Sequence, residues 1–172
     1  MENQSKVVYN FLVRRYDLII DYSEIEDKQK VFKDKKTVLV GGCFDILHYG
    51  HLSFLKKASK KGNFLIVALE SDDFIKRTKN KNPIHSQRQR AKLLAALKVV
   101  DMIILLPYLI SHEEYFDLVK KIKPRVIAIT ENDPMAKNKQ MQIDQIGGRL
   151  EVVMENLNKF SSKKIYETFF SD

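Results

Sequence analysis

Short apolar runs alternate with amphipathic stretches along most of the 172-residue chain. Five runs of four to six residues are rich in valine, isoleucine and leucine and lack polar alternation: Thr37–Val40, Phe64–Leu69, Met102–Leu106, Arg125–Ile129 and Leu150–Met154. Runs of this kind are typical of strands covered on both faces, as in a parallel sheet.

Between these runs, apolar residues recur at every third or fourth position, which is the period of an amphipathic helix. The pattern predicts five helices: His51–Lys61, Ser86–Lys98, His112–Lys121, Met135–Ile146 and Lys163–Phe169. Ser86 and Ser111 stand where helix N-caps are expected. The alternation predicts an α/β fold: a doubly wound, Rossmann-like, five-stranded parallel sheet with helices on both faces.

The first 36 residues follow a different pattern, and we predict that residues 1–36 form an N-terminal helical extension to an α/β domain at 37–172. One helical stripe is formed by Val8, Phe11, Leu12, Leu18 and Ile19. A charged stretch, Glu24–Lys36, follows it. The stripe either packs on the domain or serves as a dimerisation or partner helix.

Composition narrows the class of protein. Lys and Arg number 30 against 22 Asp and Glu, and the net charge of +8 indicates an anionic partner, either nucleic acid or a phosphorylated small molecule. The single cysteine, Cys43, excludes an internal disulfide, and no Cys/His cluster has zinc spacing. No apolar run approaches membrane-spanning length, and Met1–Lys6 is polar. We therefore expect a cytoplasmic protein without a membrane segment.

The segment Val38–His51 carries the most specific chemistry. A buried strand ends in two glycines, and a loop then delivers His48 and His51, with Gly50 between them, to the start of a helix. In a parallel sheet, the carboxyl end of the first strand and the following helix N-terminus form a natural anion site. Two histidines placed there can donate hydrogen bonds to phosphate oxygens. The alternative is that one caps the helix and the other is merely exposed.

His48-Tyr-Gly-His51, preceded by Gly42-Cys-Phe-Asp-Ile-Leu, resembles the signature of the cytidylyltransferase-like nucleotidyltransferases, which are relatives of the HIGH-motif class I aminoacyl-tRNA synthetases. The resemblance covers roughly residues 37–169. Over Gly42–Asp101 it is greatest to bacterial heptose-1-phosphate adenylyltransferase domains, and slightly less to glycerol-3-phosphate cytidylyltransferase. It implies transfer of a nucleotide from an NTP, with ATP favoured, to a phosphorylated small molecule such as a sugar phosphate, with release of pyrophosphate.

The resemblance also assigns roles to residues. His48 and His51 would contact the NTP phosphates and stabilise charge on the transferred α-phosphate, and Lys79 would be catalytic or bind the acceptor's phosphate. Arg90 would face the substrate, although both cations also fit solvated surface positions. The nucleotide-binding residues would be Gly42, Cys43, Phe44, Asp45, Gly50, Asp133, Ser161, Ser162 and Lys163. Asp45 would order the loop that leads to His48 and His51. Mg²⁺ would be carried by the NTP, and no protein ligand of a metal is assigned.

Two segments depart from the family pattern. Lys159–Lys163 resembles an Ile-Ser-Ser-Thr segment that opens the last helix and holds the β- and γ-phosphates, but Lys163 stands where a small hydroxyl residue is usual. After the strand at Val126–Ile129, Asn132 replaces the usual glycine before Asp133. Asn adopts a left-handed conformation more readily than most residues, so the turn can be kept.

Alternative functions remain at this point. One is a CTP-dependent polyol-phosphate cytidylyltransferase, and another is an FMN adenylyltransferase, that is, an FAD synthase. The third, a non-enzymatic RNA-binding module, is disfavoured because the lysines are spread over helices rather than grouped with aromatic residues. We therefore expect an NTP and a phosphorylated acceptor as partners, and neither nucleic acid nor membrane. Relatives are often dimers, so a homodimer is also an expectation.

Overall fold

The computed structural model describes residues 18–155, which form a parallel sheet with helices packed on both of its faces. The strands are β1 (Ile19–Asp21), β2 (Thr37–Gly42), β3 (Phe64–Leu69), β4 (Met102–Leu105), β5 (Val126–Thr130) and β6 (Arg149–Met154). The α-helices are α1 (Ile25–Phe32), α2 (Tyr49–Ser59), α3 (Asp72–Lys79), α4 (Gln87–Ala95), α5 (His112–Ile122) and α6 (Ala136–Asp144). A 3₁₀ turn at Tyr22–Glu24 joins β1 to α1.

The strands lie in the order β1-β4-β3-β2-β5-β6, and every neighbouring pair is parallel. The chain moves outward from β2 through β3 to β4 and then returns to the other side of β2 with β5 and β6. The strand order therefore reverses between β2 and β5, which is where ligands bind in doubly wound sheets. The predicted doubly wound fold is confirmed.

Alternate residues of each strand enter two apolar cores, one on each face of the sheet. On one face, Val38 and Val40 pack with Leu55 of α2 and Leu94 of α4. On the other face, Leu39 packs in a core that α1, α5 and α6 supply with Ile25, Leu118 and Ile143. Because both faces are covered, the strands read as continuous apolar runs. The helices lie on both faces, as predicted.

The sheet has a sixth strand that the sequence pattern does not predict. The prediction that the N-terminal helical stripe extends through Leu18 and Ile19 is wrong, because Ile19–Asp21 pairs in parallel with β4 as an edge strand. Three residues are too few for a period to be read, and the free edge of β4 supplies the hydrogen-bond partners that fix the extended conformation. The earlier part of the stripe, from Val8 to Leu12, lies outside the described residues.

Two of the helices were not predicted from the pattern. The helix α1 lies within the charged stretch, and α3 follows the N-cap Ser71, whose hydroxyl accepts a hydrogen bond from the Phe74 N–H. Ser86 and Ser111 are N-caps, as predicted. The predicted helix Lys163–Phe169 lies outside the described residues.

The longest helices of the described part, α2 and α5, have 11 residues each. Within residues 18–155, none has the length and apolar character needed to cross a membrane.

Candidate active site

The candidate active site lies at the carboxyl edge of the sheet, where β2 ends and α2 begins. A six-residue loop, residues 43–48, joins the two elements and carries most of the predicted motif. We call it the histidine loop. The N-terminus of α2 presents unpaired backbone N–H groups and the positive end of the helix dipole, both of which favour phosphate. The motif therefore lies at the position where this fold forms an anion site.

His48 is the N-cap of α2. Its backbone is extended, and its Nδ1 accepts a hydrogen bond from the backbone N–H of His51 at 3.4 Å. A neutral imidazole whose Nδ1 accepts carries its proton on Nε2, so Nε2 is a donor. Burial lowers the pKa of His48, and the ring is mostly neutral at pH 7. The capping role and a contact with phosphate are compatible, because they use different ring nitrogens.

His51 lies between two rings. Its centroid is 3.8 Å from that of His48, at an interplanar angle of 22°, and 5.0 Å from that of Phe44. Its Nδ1 is buried and has no partner of hydrogen-bonding geometry among the described residues. Burial, helped by the neighbouring His48, lowers the pKa of His51 to about 4, and the Ile46 backbone acts in the opposite direction. The ring is therefore neutral at pH 7.

Phe44 fixes the shape of the loop. It is buried and adopts a left-handed backbone with φ of 46°. A Cβ on Gly42 would lie 3.0 Å from Cε2 of Phe44, which is tighter than ordinary packing. A side chain at position 42 would therefore crowd the Phe44 ring, which packs against His51. Gly50 is buried in the first turn of α2. Ligand contact by Gly42, Phe44 and Gly50 stays a prediction.

Arg90 holds the start of the histidine loop in place through buried hydrogen bonds. Its guanidinium is fully buried, and it donates hydrogen bonds to the carbonyls of Cys43, His85 and Glu70. It also forms an ion pair with Asp72 at 2.7 Å. One side chain thus joins the start of the histidine loop to β3, α3 and the segment before α4. Direct substrate contact by Arg90 stays a prediction, and its position in the structure is that of a positioning residue.

Asp45 joins the histidine loop to a second loop. Its carboxylate, which is 4% exposed, accepts hydrogen bonds from the backbone N–H groups of Ile84 at 2.8 Å and His85 at 3.4 Å. Lys81 lies 3.3 Å from its other oxygen. These contacts hold the histidine loop against segment 80–86, as expected for a residue that orders this loop.

Lys79, the last residue of α3, reaches the histidine loop from the side. It forms a hydrogen bond with the half-buried thiol of Cys43, and its charge also lowers the pKa values of His51 and Glu70. Burial nevertheless raises the pKa of Cys43, so the thiol is protonated at pH 7. The structure therefore brings Lys79 close enough to His51 for its charge to act on that ring, although 28 positions separate the two residues in the sequence.

Glu70 is a site residue that the sequence pattern does not reveal. It follows β3 directly, is 8% exposed, and accepts hydrogen bonds from the Tyr115 hydroxyl at 3.1 and 3.2 Å. Burial raises the pKa of Glu70 to about 7, against the lowering effects of Tyr115 and nearby cations. Its position immediately after a buried strand, at the same sheet edge as the motif, was the only sequence signal available.

Asp133 lies in the loop after β5, on the other side of β2. Its carboxylate accepts a hydrogen bond from the Met135 N–H at 2.8 Å and forms an ion pair with Lys139 at 2.7 Å. Asn132 has φ of 60°, so the left-handed turn predicted for it is confirmed. These contacts order the start of α6, and nucleotide contact by Asp133 stays a prediction.

A cleft of about 610 Å³ lies beside this loop and the first turns of α2. It is lined by Tyr49, Ser53, Lys57, Glu131, Val152 and Glu155, among others. Its size is in the range of small-ligand sites. The cleft lies on the β5–β6 side of the histidine loop, whereas Lys79 and Glu70 lie on the β3 side.

The remaining predicted residues, Ser161, Ser162 and Lys163, lie outside the described residues. Within residues 18–155, no group of three or more His, Cys, Asp or Glu side chains is placed to hold a metal ion. The described site thus offers donors, a helix dipole and a lysine for anionic groups. It contains no nucleophile paired with a base for covalent catalysis, because the Cys43 thiol keeps its proton.

The chain is similar to proteins with two different names, HldE and FAD synthase. "Bifunctional protein HldE" of Helicobacter hepaticus is 44% identical over 112 residues, which is 63% of this chain and 22% of that protein. "FAD synthase" of Pyrococcus abyssi is 40% identical over 117 residues, which is 67% of this chain and 77% of that protein. The chain thus spans less than a quarter of that HldE protein and most of the FAD synthase.

Two solved structures share the fold. A lipopolysaccharide core biosynthesis protein from Thermoplasma volcanium matches with a TM-score of 0.59 and 30% identity, over 71% of this chain and 97% of that one. A pantoate-beta-alanine ligase from Francisella tularensis matches with a TM-score of 0.57 and 17% identity, over 88% of this chain and 76% of that one. The second likeness shows the fold alone.

The family assignment rests on most of the chain. The cytidylyltransferase-like family matches residues 39–169, which include most of β2, all of β3 to β6, the histidine motif and the Ser161-Ser162 segment. The match therefore covers the sheet edge where both histidines, Lys79 and Asp45 come together. With a relative of matching length at 40% identity, the chain belongs to the cytidylyltransferase-like family.

Proposed function

We propose that this protein transfers a nucleoside monophosphate from an NTP, with ATP favoured, to a phosphorylated small molecule such as a sugar phosphate, and releases pyrophosphate. The stacked pair of His48 and His51 at the N-terminus of α2 carries the proposal. It combines a donor nitrogen, a helix dipole and a sheet edge at which ligands bind.

The reaction needs positioning more than it needs a covalent nucleophile. An oxygen of the acceptor phosphate attacks the α-phosphorus, a new P–O bond forms, and the bond to pyrophosphate breaks. Negative charge then grows on the oxygens of the α-phosphate and of the leaving group. Nε2 of His48 and the N–H groups of α2 stabilise this charge in a partly buried site, where such donors are most effective.

Lys79 supplies the mobile positive charge of the proposed mechanism. It is exposed at the end of α3, yet its charge reaches Cys43 and His51. We assign it to the phosphate of the acceptor or to the NTP, as the family resemblance implies. Ser161, Ser162 and Lys163 complete the proposal by holding the β- and γ-phosphates.

Mg²⁺ is expected to enter with the triphosphate, whose oxygens and water are its usual ligands. The described residues do not form a protein-built site for it. No catalytic step of this chain's residues is therefore assigned to a metal.

The nucleotide and the acceptor remain open within the proposal. The resemblance to heptose-1-phosphate adenylyltransferase domains favours ATP with heptose 1-phosphate. The FAD synthase alternative, a name carried by a relative of which the chain covers 77%, favours ATP with FMN. CTP with a polyol phosphate is the third combination. We also propose a cytoplasmic location and a homodimer. Sedimentation of the purified chain measures the oligomeric state.

The test follows pyrophosphate release from ATP or CTP with Mg²⁺ and one of three acceptors: heptose 1-phosphate, glycerol 3-phosphate or FMN. We expect release that requires the acceptor, and calorimetric binding of ATP in preference to CTP. The matched control is His112→Ala, since His112 lies on α5 and has no place in the proposed chemistry. An absence of acceptor-dependent release with every pair contradicts the proposal, and CTP binding without ATP binding reverses the order of nucleotides.

A further inference from the structure

Glu70 is a buried carboxyl group that the proposed reaction does not use. It lies at the carboxyl end of β3, next to the end of β2, because its N–H donates to the Gly42 carbonyl at 3.1 Å. Its side chain is held by one hydroxyl, that of Tyr115, which contacts both carboxyl oxygens. Among the ion pairs of residues 18–155, none includes Glu70.

The remaining bonding capacity of Glu70 favours a donor. An ionised carboxyl has about four acceptor sites, and the Tyr115 hydrogen occupies one of them. A buried carboxyl that keeps free acceptor sites costs stability, which a donor from a bound molecule would offset.

The charges around Glu70 decide which donor fits. Five groups, each from a different part of the fold, interact electrostatically with Glu70. They are Cys43 after β2, Lys79 of α3, Arg90 of α4, Tyr115 of α5 and Lys139 of α6. Three of these are cations, so a further ammonium group would be repelled. A phosphate would be repelled by the carboxylate itself and attracted to Lys79. A neutral hydroxyl group fits Glu70 best.

The location of Glu70 fits the acceptor rather than the NTP. Glu70 follows β3 and Lys79 ends the next helix, α3, whereas the cleft of 610 Å³ is lined by residues of α2, of the β6 end and of the loop after β5, and not by Glu70, Lys79 or Tyr115. The proposal assigns Lys79 to the acceptor phosphate, and the charge of Lys79 acts on Glu70. An acceptor whose phosphate contacts Lys79 therefore brings its remaining groups toward Glu70.

We propose that Glu70, held by Tyr115, binds a hydroxyl group of the acceptor and makes the enzyme select polyol or sugar phosphates. This inference rests on the proposed function. The acceptor would be bound at two points, its phosphate at Lys79 and one hydroxyl at Glu70. A site built to bond a hydroxyl rejects an analogue that lacks it, because the buried carboxyl is then left without its donor.

The experiment compares the most active acceptor of the pyrophosphate assay with analogues of it, in each of which one hydroxyl is replaced by hydrogen. We expect wild-type kcat/KM to fall at least about tenfold for one analogue. In Glu70→Gln, KM for the full acceptor should rise about tenfold with kcat little changed, and the preference over that analogue should shrink. The control Glu26→Gln changes an exposed carboxyl that pairs with Lys121, far from the site, and should keep the wild-type preference.

The variants also separate recognition from structure. Tyr115→Phe should weaken the same preference, because it frees the carboxyl that Tyr115 holds. In wild type, KM for the full acceptor should change between pH 6 and 8, and this change should be smaller in Glu70→Gln. An active wild type whose preference is unchanged in Glu70→Gln overturns the inference. A wild type that releases no pyrophosphate with any acceptor overturns the proposed function instead, and the inference with it.

Discussion

The imidazole rings of His48 and His51 lie stacked, with centroids 3.8 Å apart, and the backbone of one donates to the ring of the other. This relationship makes the pair a unit rather than two independent ligands. The His48 ring caps the helix through Nδ1 and leaves Nε2 as a donor, while burial and the neighbouring His48 hold His51 neutral. In the free protein, two neutral rings at a helix N-terminus avoid the repulsion that two imidazolium ions would have.

Replacing either histidine should therefore impair the chemical step. We expect His48→Ala and His51→Ala each to lower kcat by at least about 10², or roughly 2.7 kcal/mol of transition-state stabilisation. Steady-state pyrophosphate release measures this, with far-UV circular dichroism as the check on folding. Near-normal turnover in both variants would remove the central claim.

Binding of the NTP should take up protons. Burial lowers the pKa values of both histidines, and the neighbouring His48 helps to lower that of His51 to about 4. A bound triphosphate favours the charged ring and raises these values, so the complex holds more protons than the free protein near pH 6.5, and affinity rises as pH falls. Calorimetry of ATP binding in buffers of different ionisation enthalpy measures the uptake. It should be smaller in the His48→Ala/His51→Ala double variant, and equal uptake would contradict the assignment.

The loop should depend on Arg90 for its stability. Arg90→Ala leaves Asp72 and three carbonyls without their buried donor, and we expect it to lower the free energy of unfolding by about 3 kcal/mol or more. Urea unfolding measures the change. The control is Arg88→Ala, which removes an exposed cation 3.6 Å from Asp21 and should leave the midpoint within error. Equal effects of the two variants would show that Arg90 does not anchor the loop.

Lys163 is the clearest test of the C-terminal phosphate segment, because it departs from the family pattern there. If Lys163 replaces the missing hydroxyl, Lys163→Ala should lower kcat/KM by about tenfold, or about 1.4 kcal/mol. Lys164→Ala is the matched control, since it removes an adjacent lysine. An unchanged kcat/KM in Lys163→Ala means that this lysine does not contact the triphosphate.

Signals local in the sequence predicted five of the strands, two helix starts, one turn and the position of the histidine motif. Five apolar runs marked β2 to β6, Ser86 and Ser111 marked helix starts, and Asn132 marked a left-handed turn. Each of these depends on residues close together in the sequence. The motif placed both histidines for the same reason.

Long-range contacts account for what the sequence did not reveal. The strand β1 exists because the edge of β4, more than 80 residues away, pairs with it. Glu70 and Tyr115 are 45 positions apart, and their contact exists only once β3 and α5 meet at the sheet edge. From the sequence, Arg90 is expected to face the substrate or to lie at a solvated surface position, and its burial follows from carbonyls that three separate segments bring to it.

Glu70 should make the stability of the protein depend on pH. Its pKa is raised from its ordinary value of 4.5 to about 7, so the folded chain keeps a proton that the unfolded chain has lost between these values. This contribution to stability is complete below pH 4.5 and is lost as pH rises through 7. Glu70→Gln cannot ionise and should be about as stable as wild type near pH 4.5, but more stable by about 2 to 3 kcal/mol at pH 8. Urea unfolding of both proteins at the two pH values measures the difference, with Glu26→Gln as the control. The same difference at both pH values would mean that Glu70 is not a buried carboxyl that ionises late. A gain in stability at pH 8 together with weaker hydroxyl selection would show that the chain retains a destabilising carboxyl because it binds the acceptor.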